Sequence, residues 1–288
     1  MKNSGDSPKM GDLYRMRWGA KARFTIFGVR IGLRANVPEL LNRLIALLPR
    51  ESEALRSPNV DCLYSAVASN RLEECDADRG YNFLFRNGRK LTKSTRWEDL
   101  HECFESDLDF YVAKTTRSWL FLHAGVVAWQ GQAIVLPGKS YCGKTSFVKA
   151  FLDAGATYYS DEFAVLDQKG YVHPFPRALS VRTNGIPTKI AAEQFGAQIG
   201  QGPIPVGLVI LAGYKPGAQW RPNLLTPGEG MLGLLENTLT GRLYPHFAIR
   251  TLEKVTRRAR VLESARGEAA DTAGWVLRNL NQFSAQYC

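Results

Sequence analysis

Gly138-Lys139-Ser140-Tyr141-Cys142-Gly143-Lys144-Thr145, near the middle of this 288-residue chain, is the stretch that indicates the fold. It matches G-x-x-x-x-G-K-[ST], a pattern in which backbone N–H groups of a glycine-bounded loop surround phosphate. An apolar run of buried-strand type, residues 133–137, precedes the octet, and residues 144–152 carry apolar side chains at helical spacing. Such a helix directs free N–H groups and its positive dipole end at an anion. We therefore predict a nucleotide-phosphate loop.

The composition is that of a globular protein. It is 45% hydrophobic and 22% charged, which excludes a disordered or fibrous chain. No apolar run approaches the roughly 20 residues that would span a bilayer, and the first residues lack the apolar core of a secretory signal. Five cysteines at irregular spacings, without a CxxC pair, predict neither a disulfide framework nor a zinc site. We expect a cytoplasmic protein that does not bind membranes.

The formal net charge of +10 favours an anionic partner. Nucleotide, an acidic peptide and nucleic acid all fit, but the sequence has no zinc-finger, homeodomain or RRM signature, so nucleic acid is not expected. Through residue 60 there are eleven Lys and Arg against five Asp and Glu. This basic segment is either a solvated face or a surface that binds an acidic peptide.

The length suits two modules. We predict a disordered lead over residues 1–12, a small α+β domain over 13–115 and a catalytic domain over 116–288. Hairpin turns are expected at Gly28, at Asn87-Gly88 and at Gln130-Gly131. In the larger domain we expect strands on either side of Asp161-Glu162, another buried strand over residues 204–212, and a helical remainder.

Asp161 and Glu162 follow Thr145 by sixteen and seventeen residues, the length of one crossover helix and a return strand. A carboxylate there would lie near a Mg²⁺ held by the Thr145 hydroxyl. A second carboxylate could accept the proton of an attacking hydroxyl. The alternative is a surface acidic pair, although the flanking residues are apolar.

Three further residues each have a structural and a functional interpretation. His123 lies in an apolar strand and is either a satisfied core histidine or part of the site. Arg177 and Arg182 could contact phosphate through their guanidinium groups or remain solvated, so their roles stay open.

Three segments together resemble the HPr kinase/phosphorylase superfamily. They are Leu122–Val127 (LHAGVV) with the octet, Tyr159–Asp167 (YSDEFAVLD) and Pro174–Ser180 (PFPRALS). The sequence is similar in particular to the HPr-kinase-related branch that includes kinases of lasso-peptide clusters. This resemblance implies an α/β fold, α+β overall, with a P-loop kinase core of HPr kinase/phosphoenolpyruvate carboxykinase type and a smaller N-terminal α+β domain.

The resemblance also implies site residues. His123 matches the motif histidine near the transferred phosphate, Lys144 a nucleotide contact and Asp161 the base, so these three are the expected catalytic residues. Thr145 and Glu162 are the expected Mg²⁺ ligands, with Glu162 standing where the family has a second Asp. The expected ATP-binding residues are Gly138, Lys139, Ser140, Tyr141, Cys142, Gly143, Lys144, Thr145 and Ser146.

The implied reaction is transfer of phosphate from ATP to a serine hydroxyl of a peptide or protein, with the C-terminal serine of a lasso-type precursor as the expected acceptor. HPr is not expected, because the region after Pro176 lacks its recognition signature. Two alternatives stay open: a small-molecule kinase, and a non-catalytic nucleotide-gated binding protein. HPr kinases form oligomers, and whether this chain self-associates is left open.

Overall fold

The computed structural model describes residues 10–68, 80–138, 143–183 and 186–284. The chain is mixed α/β and divides into two compact units, Met1–Thr116 and Arg117–Cys288. Residues 1–9 of the expected disordered lead lie outside the described ranges, and residues 10–12 belong to a helix that starts at Met10. Lys139, Ser140, Tyr141 and Cys142 of the octet also lie outside these ranges.

The first unit is a six-stranded sheet covered by helices. Its elements are α1 (Met10–Arg15), β1 (Ala20–Ile26), β2 (Val29–Ala35), α2 (Pro38–Ile45), β3 (Ser52–Ala54), β4 (Cys62–Ala68), β5 (Asn82–Arg86), β6 (Arg89–Ser94) and α3 (Trp97–Thr115). The strand order is β3-β1-β2-β4-β5-β6, and β2 and β4 form its parallel pair. Leu40 and Leu44 of α2 and Leu100, Phe104 and Leu108 of α3 are fully buried, as their helical spacing requires.

Two-residue turns connect three of the hairpins. Both turn residues have positive φ in each, the geometry of type I′ turns. The pairs are Phe27-Gly28 (48° and 80°), Asn87-Gly88 (48° and 82°) and Gln130-Gly131 (50° and 78°). All three predicted turns are confirmed.

The second unit is built on a larger sheet. Its elements are β7 (Leu120–Trp129), β8 (Gln132–Pro137), α4 (Lys144–Asp153), β9 (Thr157–Ser160), β10 (Phe163–Leu166), β11 (Tyr171–His173), β12 (Leu179–Thr183), β13 (Ile186–Ile190), β14 (Ile204–Tyr214), β15 (Asn223–Leu224), α5 (Pro227–Leu235), α6 (Pro245–Thr256), β16 (Arg260–Arg266) and α7 (Ala269–Ser284). The strand order is β11-β10-β7-β8-β14-β16-β15, with β9 paired to β7.

Two apolar cores cover the faces of this sheet. One core joins the strands to Leu234 of α5 and to Ala248 and Leu252 of α6. The other joins them to Phe147 and Phe151 of α4 and to residues of α7. Strands β8, β14 and β16 are mutually parallel, so the chain leaves all three at the same edge. Among the described helices, none is long and apolar enough to cross a membrane.

The helical remainder predicted after residue 212 is only partly correct. Helices α5, α6 and α7 are present, but β16 lies among them and pairs in parallel with β14. Its sequence, RVLESAR, interleaves charged and apolar residues, so it lacks the continuous apolar run typical of a buried parallel strand. The β12–β13 hairpin was not anticipated either.

Candidate active site

The middle of β7 positions the residues on both sides of the site. On one side, Pro137 of β8 pairs with Ala124, and the chain then enters the octet. On the other, Ser160 pairs with Val126 and Phe163 with His123, so Asp161 and Glu162 interrupt the pairing between these positions. The phosphate-loop sequence and the acidic pair are therefore separated only by β7.

His123 is fixed through its backbone. Its N–H donates to the carbonyl of Asn237 at 2.8 Å, and its carbonyl accepts from the N–H of Gly138 at 3.1 Å. The imidazole lies 5.1 Å from the ring of Phe163, centroid to centroid. Burial, and then the charge of Lys144, lower the pKa of His123, while Glu162 acts in the opposite direction. The ring is therefore neutral at neutral pH.

Gly143 forms the junction between the octet and α4. It has φ 81° and ψ 19°, in the left-handed region that glycine adopts without steric cost. Its carbonyl accepts from the N–H of Phe147 at 3.2 Å and from Nη2 of Arg266 at 2.8 Å. A Cβ atom at this position would lie 2.7 Å from Nη2 of Arg266. The backbone conformation therefore favours glycine here, and a Cβ atom would displace the Arg266 guanidinium.

Lys144 begins α4 and is only 9% exposed. Its Nζ lies 3.5 Å from the carbonyl oxygen of Gly138, so the side chain reaches from the end of the octet back to its start. Gly125 of β7 permits this close approach of the helix, since a Cβ there would lie 2.4 Å from Val148 and 3.4 Å from Lys144. The ammonium group is thus held where the octet begins.

Asp161 is a buried carboxyl group, 6% exposed. Its Oδ2 accepts a hydrogen bond of 2.7 Å from the Thr145 hydroxyl. Its Oδ1 is buried and has no hydrogen-bond partner among the described residues. Burial raises the pKa of Asp161 to about 6, against the Thr145 hydrogen bond and the Lys144 charge. A carboxyl group with this pKa can exchange a proton near neutral pH.

Glu162 is the more exposed member of the pair, with 45% of its side chain accessible. The Ser160 hydroxyl oxygen accepts from the N–H groups of Glu162 (3.3 Å) and Phe163 (3.1 Å), which stabilises the interruption between β9 and β10. Oε1 of Glu162 lies 3.9 Å from Nδ1 of His123. Asp161, rather than Glu162, contacts the Thr145 hydroxyl.

The structure thus brings His123, Lys144, Thr145, Asp161 and Glu162 together. Three other candidate residues differ in placement: Ser146 is exposed in the first turn of α4, Arg182 lies in β12, and the Arg177 guanidinium lies over the Phe175 ring at 5.1 Å. Within the described ranges, no group of three His, Cys, Asp or Glu side chains could hold a metal ion.

Sequence reasoning missed two cationic residues. Arg266, at the end of β16, is 3% exposed, and its guanidinium lies over Phe147 at 4.7 Å while bonded to Gly143. Lys189 of β13 is exposed, and its charge lowers the pKa of Asp161 against the larger effect of burial. Neither residue belongs to a motif with a diagnostic spacing. Arg266 lies 123 residues beyond Gly143, to which it is bonded.

The oxygen groups at this site fit Mg²⁺. The Thr145 hydroxyl and the accessible Glu162 carboxylate are the hard donors that this ion prefers. Mg²⁺ in nucleotide sites is held by one or two protein groups together with phosphate oxygens, so a site with few carboxylates is sufficient.

No protein-family model matches this sequence, and no curated protein matches it at a significant level. Among solved structures, the HPr(Ser) kinase/phosphatase from Coxiella burnetii is similar over 56% of this chain and 96% of its own, with 16% identity and a TM-score of 0.37. Because this TM-score is too low to establish a shared fold, the functional assignment depends on the geometry of the site.

Proposed function

We propose that this protein is an ATP-dependent, Mg²⁺-assisted kinase that phosphorylates a serine hydroxyl of a peptide or protein. The contact between the Thr145 hydroxyl and Oδ2 of Asp161, 2.7 Å at the start of α4, carries the proposal. It joins the predicted phosphate loop to a buried carboxyl group with a pKa of about 6.

Binding of the nucleotide is assigned to the octet and to the first turn of α4. The N–H groups at this helix end and the Lys144 ammonium would hold the outer phosphates. Thr145 and Glu162 would hold Mg²⁺, which neutralises developing charge on the transferred group when bound. Arg266 would keep the end of the loop in place through its bond to the Gly143 carbonyl.

Proton transfer is assigned to Asp161. As the serine oxygen forms its bond to the terminal phosphorus and the bond to the bridging oxygen of ADP breaks, the hydroxyl proton passes to Oδ1 of Asp161. Oδ2 meanwhile continues to orient Thr145. His123, which is neutral, can donate a hydrogen bond to the transferred phosphoryl group without repelling the Lys144 charge.

A peptide acceptor fits the accessibility of the site better than a small metabolite. Glu162 is 45% exposed beside His123, so the carboxylate side of the site opens to solvent. A serine on a flexible segment or at a chain terminus could enter such an opening. With the resemblance of residues 122–127, 159–167 and 174–180, this supports the C-terminal serine of a lasso-type precursor as the acceptor.

The direct test incubates the protein with Mg²⁺–ATP and peptides that end in serine, and detects the added phosphate by mass spectrometry. Asp161→Asn should lower the rate by about 10²-fold or more while nucleotide still binds, because the proton acceptor is lost. Lys144→Ala should weaken nucleotide binding as well. Asp153→Asn and Lys149→Ala are matched controls, since these two residues pair on the outer side of the same helix.

Two results would contradict the proposal. Phosphorylation at the wild-type rate by Asp161→Asn would remove that residue as the proton acceptor. Tight nucleotide binding without transfer to any peptide, but with transfer to a small hydroxyl compound, would favour a small-molecule kinase instead.

A further inference from the structure

A cavity of about 560 Å³ lies in the second unit, apart from the candidate active site. Its lining includes Gln132 and Ile134 at the start of β8, Leu208 of β14, and Arg260 at the start of β16. The octet follows the opposite end of β8. Six residues of extended strand, roughly 20 Å, separate the two places.

The cavity has an apolar wall and a cationic wall. Its apolar side chains include Ile134, Leu208, Leu225, Val261 and Leu280. Its ionisable side chains among the described residues are three arginines, Arg257, Arg258 and Arg260, and none of the described lining residues is acidic. A volume between about 300 and 1,000 Å³ is typical of small-molecule sites, which combine apolar walls with a few polar groups.

Arg260 is the arginine available to a ligand. Arg257 forms an ion pair of 2.7 Å with Glu253, and Nη1 of Arg258 lies 3.5 Å from the Lys169 carbonyl oxygen. The half-buried Arg260 side chain has no hydrogen bond or ion pair with any residue in the described ranges. A guanidinium beside apolar walls gains most from an anionic partner with an apolar body.

The backbone near the cavity is irregular. The pairing of β14 with β8 shifts register between Val206 and Leu208, around Gly207. A Cβ at Gly207 would lie 1.9 Å from Oε1 of Gln132, so glycine is needed for the Gln132 amide to occupy this position. Both residues line the cavity. The glycine and the irregular pairing therefore shape this end of the sheet.

We propose that this cavity is a second ligand site, which binds an amphipathic organic anion. The acidic group of the ligand pairs with the Arg260 guanidinium, and its apolar body lies against Ile134, Leu208 and Leu280. The site is independent of nucleotide binding and of the proposed kinase activity, because none of its lining residues belongs to the candidate active site.

Octanoate, octanol and inorganic phosphate distinguish recognition of the acidic group from recognition of the apolar body. The full-length protein is titrated with 1-anilinonaphthalene-8-sulfonate, whose fluorescence reports binding, and each compound is then tested as a competitor. We expect one saturable probe site from which octanoate displaces the probe, whereas octanol and phosphate at equal concentration do not. Equal competition by octanoate and octanol would show that the anionic group is not recognised and would overturn the proposal.

Arg260→Gln tests the assigned residue, and Arg250→Gln, an exposed arginine on α6 outside the lining, is its matched control. Loss of a charge-assisted hydrogen bond should weaken octanoate binding by about tenfold or more in Arg260→Gln and leave it unchanged in Arg250→Gln. Circular dichroism verifies that both variants are folded. Unchanged affinity in Arg260→Gln, or displacement of the probe by saturating ATP, would overturn the assignment.

Discussion

Asp161 is held in an environment that opposes its ionisation, which has a consequence for stability. Its pKa is raised from 3.8 to about 6, chiefly by burial. The native state therefore holds this proton more tightly than the unfolded chain, and the stabilisation, fully present below about pH 4, is lost as the pH rises through about 6. At higher pH, the buried charge of Asp161 lowers the stability of the native state.

We therefore predict that Asp161→Asn is more stable than the wild type at about pH 7.5. Each pKa unit is worth about 1.4 kcal/mol, so a rise from 3.8 to about 6 corresponds to a gain in the free energy of unfolding on the order of 3 kcal/mol. Urea unfolding at about pH 7.5 and about pH 4 measures it, and the gain should vanish at the lower pH. Asp153→Asn, at an exposed carboxylate, is the control and should show no gain. A destabilised Asp161→Asn at both pH values would contradict this account of the site.

The same carboxyl group should govern the pH dependence of the reaction. Proton acceptance requires the ionised form, so kcat/KM should rise about tenfold per pH unit below about 6 and level off above it. Initial rates with a serine peptide across this range give the profile. A rate independent of pH between about 5 and 7 would show that another group accepts the proton.

At the scale of elements, the junction of the octet with α4 depends on a distant strand. Gly143 and Gly196 both have positive φ, 81° and 72°, but a Cβ at Gly143 would meet Arg266 whereas one at Gly196 would meet nothing within 4 Å. Substitution by alanine carries a similar backbone cost of about 1 kcal/mol at either position. Comparison of alanine substitutions at the two glycines therefore separates the effect of backbone strain from that of displacing Arg266.

We predict that Gly143→Ala weakens ATP binding by about tenfold or more, because Nη2 of Arg266 must move from the carbonyl that it holds. Gly196→Ala should bind ATP within about twofold of the wild type. Isothermal titration calorimetry of both variants makes the comparison. An equal loss of ATP affinity in the two variants would show that backbone strain alone causes the effect.

Local and distant interactions explain which elements could be predicted. The turns at Asn87-Gly88 and Gln130-Gly131 are specified by adjacent residues, and their positive φ angles confirm them. The proximity of Thr145 and Asp161 followed from one helix and one strand of ordinary length. Strand β16 could not be recognised, since its place beside β14 depends on pairing with residues about fifty positions earlier. Arg266 was missed for the same reason.

At the scale of the whole molecule, the first unit does not carry a larger excess of positive charge than the second. Residues 1–116 contain 19 Lys and Arg against 16 Asp and Glu, whereas residues 117–288 contain 18 against 11. The excess of basic residues through residue 60 is thus half offset later in the same unit. All five residues of the candidate active site belong to the second unit.

We predict that a fragment of residues 117–288 binds ATP with an affinity close to that of the full chain, because every proposed nucleotide contact lies within it. Calorimetry on the purified fragment measures this, with the same fragment carrying Lys144→Ala as the control. If the first unit binds the acceptor, the fragment should also phosphorylate serine peptides with a raised KM. A folded fragment that fails to bind ATP would show that the first unit contributes to the nucleotide site.

The parallel arrangement of β8, β14 and β16 also bears on when the site can form during synthesis. β8 is made early, but its neighbour β14 begins 67 residues after β8 ends, and Arg266, which holds the end of the octet, follows later still. Parallel pairing over such separations is slow, because long loops must close before contacts are gained. The nascent chain therefore carries the octet while a further 121 residues are added, the last of them Arg266, and nucleotide can assist folding of the complete site only after that point.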